Sequence, residues 1–259
     1  MSFFLIAGPC VIEDEKSPFL IAKELKRITD KLGLKFIFKA SYKKANRTGV
    51  SSFTGIEKQK ALNVLSDIRR KLNIPVITDV HETIEVKEVA EHVDYMQIPA
   101  FLCRQTELLQ AVGKTGKGIN IKKGQFLSPE AMKFAAEKVA ATGNNKIWLT
   151  ERGTTFGYSS LVVDFTSIPT MKKIGYPVVM DCTHSVQKPN LSQGITGGDS
   201  EMIETMCLLA ISAGADGLFI ETHPDPKNAK SDAASMLQLN KIEKILEKCI
   251  AVKKTLNAF

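Results

Sequence analysis

Short apolar runs recur along the chain, and nearly every one ends in a polar or reactive residue. Eight can be read: 3–8 (FFLIAG), 35–41 (KFIFKAS), 74–80 (IPVITDV), 95–100 (YMQIPA), 118–124 (GINIKKG), 146–151 (KIWLTE), 177–183 (PVVMDCT) and 217–222 (GLFIET). They are close to continuous in Ile, Val, Leu and Phe rather than alternating, the pattern of parallel strands buried on both faces. Between them apolar residues step by three or four: Ile21, Leu25, Ile28 and Leu32, then Ala61, Leu65, Ile68 and Leu72, and near the end Ile242, Ile245, Cys249 and Val252. Each set gives a helix one buried stripe. Ser17-Pro18 and Ser128-Pro129 predict helix starts, with serine as cap and proline in the first turn. Gly33, Gly143 and Gly175 predict helix ends.

Eight strand–helix units in 259 residues predict a single α/β domain, a (β/α)8 barrel spanning the whole chain. An open doubly wound sheet is the alternative. It commonly carries a glycine-rich first turn, and AGPCVIEDE (7–15) contains no GxGxxG.

A barrel gathers its chemistry at the C-terminal ends of its strands. In order, the runs lead into Cys10, Lys39, Asp79 with His81, Gln97, Lys122, Arg152, Asp181 with His184, and Glu221. Polar groups repeated at one topological position predict a ligand site. Lys39, Lys44, Arg47, Lys122 and Arg152 bring positive charge to one face, and an anion would relieve their repulsion. Arginine offers a planar fork to carboxylate or phosphate, and lysine a point charge. Lys43 and Lys123, by contrast, read as solvated surface lysines. Cys10, His184, Glu221 and Asp232 form a second set, with donors suited to a divalent transition metal. No ligand spacing links them, and His81 and His223 compete as donors. The polar loop 43–55 supplies Asn46, Arg47 and Thr48 above the barrel, and the glycine-rich segment 188–200 is expected to close over a ligand.

Composition changes this picture little: 44% apolar and 24% charged residues are ordinary for a globular chain. The net charge of +7 favours anionic ligands, but the lysines are dispersed, so nucleic acid is not an expected partner. Five cysteines without a CxxC argue against a disulfide framework and a zinc ribbon. The opening MSFFLIAGPCVIEDE has no basic region before its short apolar run, and no apolar stretch approaches the ~20 residues of a membrane span. A cytoplasmic protein without membrane attachment is expected.

FKASYKKANRT (38–48), TDVHE (78–82), QIPAFLCRQT (97–106), NIKKGQF (120–126), LTERGTTFGY (149–158), VVDF (162–165), DCTHSVQ (181–187) and ETHPDP (221–226) together resemble the 3-deoxy-D-manno-octulosonate 8-phosphate synthase family, in order and over nearly the whole chain. The resemblance implies a homotetrameric (β/α)8 barrel enzyme. Its reaction would condense phosphoenolpyruvate with D-arabinose 5-phosphate and water, towards the inner sugar of lipopolysaccharide. By motif, Lys39 and Lys44 would hold the phosphoenolpyruvate carboxylate with help from Lys122. Lys122 and Arg152 would hold its phosphate, near Gln97 and the backbone at Ala100. Asn46, Arg47 and Thr48 would receive the sugar phosphate, Asp79 its hydroxyls, and Arg104 would reach the phosphate from a neighbouring subunit beside Phe101. His184 could also relay a proton.

The family's metal-dependent members carry Cys after GP, as AGPC does here, and SDAASM (231–236) lacks the CDGP-like run of the metal-independent class. The resemblance therefore implies one divalent metal, Zn, Fe, Mn or Co, held by Cys10, His184, Glu221 and Asp232. Gly49 departs from the pattern, where a serine is expected. Two other functions stand as alternatives. One is a 3-deoxy-D-arabino-heptulosonate 7-phosphate synthase using erythrose 4-phosphate, whose KPRTS-like loop differs from KANRT here. The other is a non-catalytic barrel that only binds sugar phosphates.

Overall fold

A computed structural model describes residues 3–47, 49–158, 160–188 and 197–258. All eight predicted runs form strands: β1 (Phe4–Gly8), β2 (Lys35–Lys39), β3 (Val76–Asp79), β4 (Tyr95–Ile98), β5 (Gly118–Lys122), β6 (Ile147–Glu151), β7 (Val178–Asp181) and β8 (Gly217–His223). They pair in parallel in sequence order, and β8 returns to β1 in a register from Phe4↔Gly217 to Gly8↔Glu221. That last pairing closes the ring and overturns the open-sheet alternative. Helices α1 (Ser17–Leu32), α2 (Lys58–Leu72), α3 (Val86–His92), α4 (Thr106–Lys114), α5 (Met132–Ala140), α6 (Ser167–Lys172), α7 (Ile203–Ser212) and α8 (Ile242–Asn257) each follow one strand. Among the described residues no helix is long and apolar enough to cross a membrane.

The two-residue period of a strand sorts side chains between two cores. Outward residues such as Leu5, Phe36, Val76, Ile119, Leu149 and Leu218 pack with the helical stripes, including Ile21, Leu25, Leu65, Leu109 and Ile245. Inward residues Ile6, Ile37, Ile77, Val179 and Phe219 form a separate cluster inside the ring. Below it Trp148 plugs the N-terminal end, with ring centroids 4.8 Å from Phe4 and 4.4 Å from Tyr95. One step above the apolar layer, two residues further along their strands, stand Lys39, Asp79, Asp181 and Glu221. Alternation alone therefore lifts the polar strand ends onto the barrel floor. A hydrogen-bonded chain carries polarity across the same interior: Thr150 Oγ1 donates to Asn120 (2.6 Å), Asn120 Nδ2 to Gln97 (3.0 Å), and Gln97 Nε2 to Asp79.

Local signals hold with two corrections, one at each predicted helix start, since α5 begins only at Met132, beyond Ser128-Pro129. Ser17 does not cap α1. The carboxylate of Asp14 does, accepting from the N–H groups of Lys16 (2.6 Å) and Ser17 (2.7 Å), while the Ser17 hydroxyl also donates to it. An aspartate three residues upstream outcompetes the serine because its charge complements the helix N-terminus. Ser128 accepts from Ala131 N–H at 3.4 Å, in a turn that precedes α5. Gly33 ends α1 at φ 65°. Gly8 is required for another reason. A Cβ there would lie 2.0 Å from the Lys39 carbonyl oxygen, so only glycine lets the end of β1 close on β2 and set Cys10 above Lys39.

Candidate active site

A cavity of about 440 Å³ opens at the C-terminal ends of the strands. Its walls include Lys39, Lys44, Asn46, Arg47, Asp79, Gln97, Ala100, Lys122, Arg152, His184 and Asp232, so the structure brings together nearly every residue singled out in the sequence. Cys10 and Glu221 are buried beside it. Arg104 is the exception: it is exposed and does not line this protomer's cavity. Thr48 and most of the segment 188–200 lie outside the described residues.

The floor is a network of buried opposite charges. Lys39 Nζ donates to Glu221 Oε1 (3.0 Å) and Ser41 Oγ (3.0 Å) and lies 3.6 Å from Asp79. Lys122 Nζ pairs with Asp181 at 2.5 Å and stands 3.8 Å above the centre of the Phe219 ring, a cation–π contact. Burial works against each charge, and the partners decide the outcome. Asp79 is held well below the usual carboxylate range by Lys39, Lys44 and His81. Asp181 is held there by His184 and Lys122, and Glu221 is drawn down to about 2 by His184, Lys39 and Lys44. Burial prevails at Lys122 and Arg152, whose pKa values fall below their ordinary values despite Asp181.

Several polar atoms facing this space lack a protein partner among the described residues. The Lys44 ammonium makes no hydrogen bond or ion pair, although burial opposes its charge and Cys10, Glu221 and Asp79 favour it. Arg152 spends Nη2 on Gln187 at 3.4 Å and leaves buried Nη1 bare. Arg47 turns Nη1 to Ser231 Oγ (2.8 Å) and lies 3.8 Å from Asp232, while its buried Nε is bare. Buried donors rarely stay unpaired, so a ligand with several acceptor oxygens fits here.

The second set assembles in part. Donor atoms of Cys10, Glu221 and Asp232 lie within 4.8 Å of one another. The Cys10 thiol donates to Asp232 at 3.0 Å, and the buried Glu221 Oε2 has no hydrogen-bond partner. Burial, then the charges of Asp232 and Glu221, push the thiol well above its ordinary pKa. A divalent cation would offset that repulsion and displace the thiol proton, so the donor set fits a metal. Asp232 is held at φ 49°, a left-handed conformation that an aspartate adopts only at a cost. His184 borders the three rather than joining them: Nε2 is 3.6 Å from Glu221 and 4.0 Å from Asp232. Its Nδ1 is held by Asp181 at 2.8 Å, which orients the ring. The competing donors His81 and His223 are not part of this group.

The structure adds residues that sequence reading did not assign. Ser231 bridges Cys10 and Arg47. Gln125 lines the cavity with its buried Oε1 lacking a hydrogen-bond partner, and so does His81 with Nδ1, a residue the sequence placed at the end of β3 and as a competing metal donor. Gln125 sits three residues past Lys122 at the end of β5, a signal that could have found it. Lys123 corrects the reading of a surface lysine: it is 1% exposed, because the connections after β5 and β6 fold over it.

The sequence pattern of the DAHP synthetase I family matches residues 1–258. A 2-dehydro-3-deoxyphosphooctonate aldolase of Nitrosococcus oceani is 48% identical over 254 residues, 98% of this chain and 91% of its own. Proteins of the same name from Chelativorans sp. and Syntrophotalea carbinolica are 48% identical over 247 residues and 47% over 248, covering 95% and 96% of this chain and 90% of each relative. On a full-length match and near half identity, the chain belongs to the DAHP synthetase I family.

Proposed function

We propose that the protein is an enzyme that condenses phosphoenolpyruvate with D-arabinose 5-phosphate and water, giving 3-deoxy-D-manno-octulosonate 8-phosphate and inorganic phosphate for lipopolysaccharide synthesis. The name shared by its relatives supports the reading. The observation that carries it is the pair of unspent cations, Lys44 and Arg152, in one cavity with Lys39 and Lys122. Lys39 and Lys44 receive the carboxylate of phosphoenolpyruvate, and Lys122 and Arg152 its phosphate, with Gln97 and the backbone at Ala100 alongside. Asn46, Arg47 and Thr48 receive the sugar phosphate, and Asp79 accepts from its hydroxyls.

Carbon three of phosphoenolpyruvate forms a bond to the sugar aldehyde carbon, whose oxygen takes up a proton. Water adds its oxygen at carbon two, the C–O bond to phosphate breaks, and as that oxygen becomes the keto oxygen its two protons pass, one to the former aldehyde oxygen and one to the departing phosphate. The cations hold the enol phosphate by both anionic ends and so fix which carbon meets the aldehyde. Asp181 keeps His184 Nδ1 engaged, which leaves Nε2 facing Glu221 and Asp232. Cys10, Glu221 and Asp232, with His184 as fourth ligand, would hold one divalent transition metal. When bound, such an ion supplies Lewis acidity towards the aldehyde oxygen or the water.

A homotetramer accounts for two further features. Phe101, Phe126 and Phe156 are 58%, 57% and 72% exposed on the connections after the adjacent strands β4, β5 and β6, a typical signature of an interface. Arg104 lies on the same side, free to enter a neighbour's cavity. Free, buried cysteines support a reducing compartment, the cytoplasm.

Three measurements test these assignments. Assayed side by side, arabinose 5-phosphate should be converted at least about tenfold more efficiently than erythrose 4-phosphate. Preference for the four-carbon sugar, or no phosphate release with either, refutes the reaction. Chelation should abolish turnover and a divalent transition metal restore it, and Cys10→Ser should lower bound metal. A chelated protein at full rate refutes the metal. Sedimentation should give the mass of four chains, and a monomer at micromolar concentration refutes the shared site.

A further inference from the structure

Lys122 and Lys123 are neighbours with opposite placements. Lys122 faces the cavity. Lys123, one residue past the end of β5, turns away from it and does not line it. Its ammonium lies 3.0 Å from Thr154 Oγ1, 3.3 Å from the carbonyl of Leu127, and 3.4 Å from those of Gly124 and Gly153. Glu151 Oε1 is also 3.4 Å away, and that same oxygen accepts from the N–H groups of Arg152 (2.9 Å) and Gly153 (2.7 Å). Three ammonium protons thus face five oxygens drawn from the end of β6 and from two chain connections, one after β5 and one after β6. Thr155 N–H donates to the Gln125 carbonyl at 3.0 Å and clasps the connections together.

Burying this pair is costly unless the geometry is good, and neither member reaches the cavity. What they hold does reach it. Arg152 rides on the backbone that Glu151 pins, and Gln125 on the turn whose carbonyls Lys123 gathers. Each presents to the cavity a residue with a bare buried atom, Nη1 and Oε1.

We propose that Lys123 and Glu151 are a positioning pair: a fixed internal cation and its carboxylate lock the two connections and so aim the Arg152 guanidinium at the phosphate of phosphoenolpyruvate. The inference rests on the assignment of Arg152 made above. A guanidinium recognises phosphate through a planar fork, so its direction matters as much as its charge. Lys122 is anchored independently by Asp181, and Arg47 by Ser231. Loosening the pair therefore releases one arm of the phosphoenolpyruvate clamp and leaves the sugar-phosphate end intact.

The test uses the full-length, metal-loaded enzyme. Lys123→Met combined with Glu151→Gln removes both charges and leaves no unpaired ion in the interior. Its dissociation constant for phosphoenolpyruvate, read by calorimetry, should rise about tenfold. The KM for arabinose 5-phosphate and kcat should stay within about twofold. Thr154→Val, which removes the closest acceptor at an exposed residue, should weaken phosphoenolpyruvate about two- to threefold and serves if the double variant does not fold. Unchanged phosphoenolpyruvate binding in either folded variant overturns the proposal, as does equal weakening of both substrates with a fall in kcat. Arg152→Gln separates the two levels. If it leaves phosphoenolpyruvate binding intact, the site assignment falls and takes the proposal with it. If it weakens binding while the pair variants do not, only the proposal falls.

Discussion

At the C-terminal mouth of the barrel, Lys39, Lys122 and Arg152 share a buried volume with Asp79, Asp181 and Glu221, and burial opposes the charge of every one of them. Removing one partner of such a pair costs about 3–5 kcal/mol, because the other charge is left buried and unmatched. The pairing is also incomplete. Among the described residues the Lys44 ammonium makes no hydrogen bond or ion pair and Arg152 Nη1 no hydrogen bond, so the network has room for acceptor oxygens of an anion from outside. The proposed recognition would draw on the same groups as stability, in a cavity whose charges are already held in place by folding.

The barrel makes that arrangement possible through strand alternation. Below the charges, Ile6, Ile37, Ile77, Val179 and Phe219 seal the interior, and Phe4, Tyr95 and Trp148 close its base. Phe219 serves both layers, packing downward and presenting its ring to the Lys122 ammonium. The chain from Thr150 through Asn120 and Gln97 to Asp79 extends polar order sideways across four strands. Buried polar networks of this kind restrict side chains to one arrangement when every member is satisfied.

Much of this was legible in the sequence because strand and helix periods are local. Eight apolar runs marked eight strands, and the residues at their ends marked the cavity, since in a parallel barrel every strand ends at the same face. Placement beyond a strand end was less legible. In KK (122–123) the alternation predicts that one lysine faces inward, but nothing local shows that two later connections cover the other. Asp14 supplanted Ser17 as a cap for a similar reason: both residue types cap helices, and the path of the chain before α1 chose between them. The metal-donor group was the least legible, because Cys10, Glu221 and Asp232 meet only when β8 closes on β1 and the 231–232 backbone folds back over the rim. Arg104 stands exposed outside its own protomer's cavity, and strand order within one chain gives no signal for that placement.

The most direct test is a crystal structure with phosphoenolpyruvate bound. The account predicts the carboxylate against Lys39 and Lys44 and the phosphate against Lys122 and Arg152, with Arg152 Nη1 newly bonded to a phosphate oxygen. A molecule bound in the reverse sense, or outside the barrel mouth with Lys44 and Arg152 still bare, would contradict it.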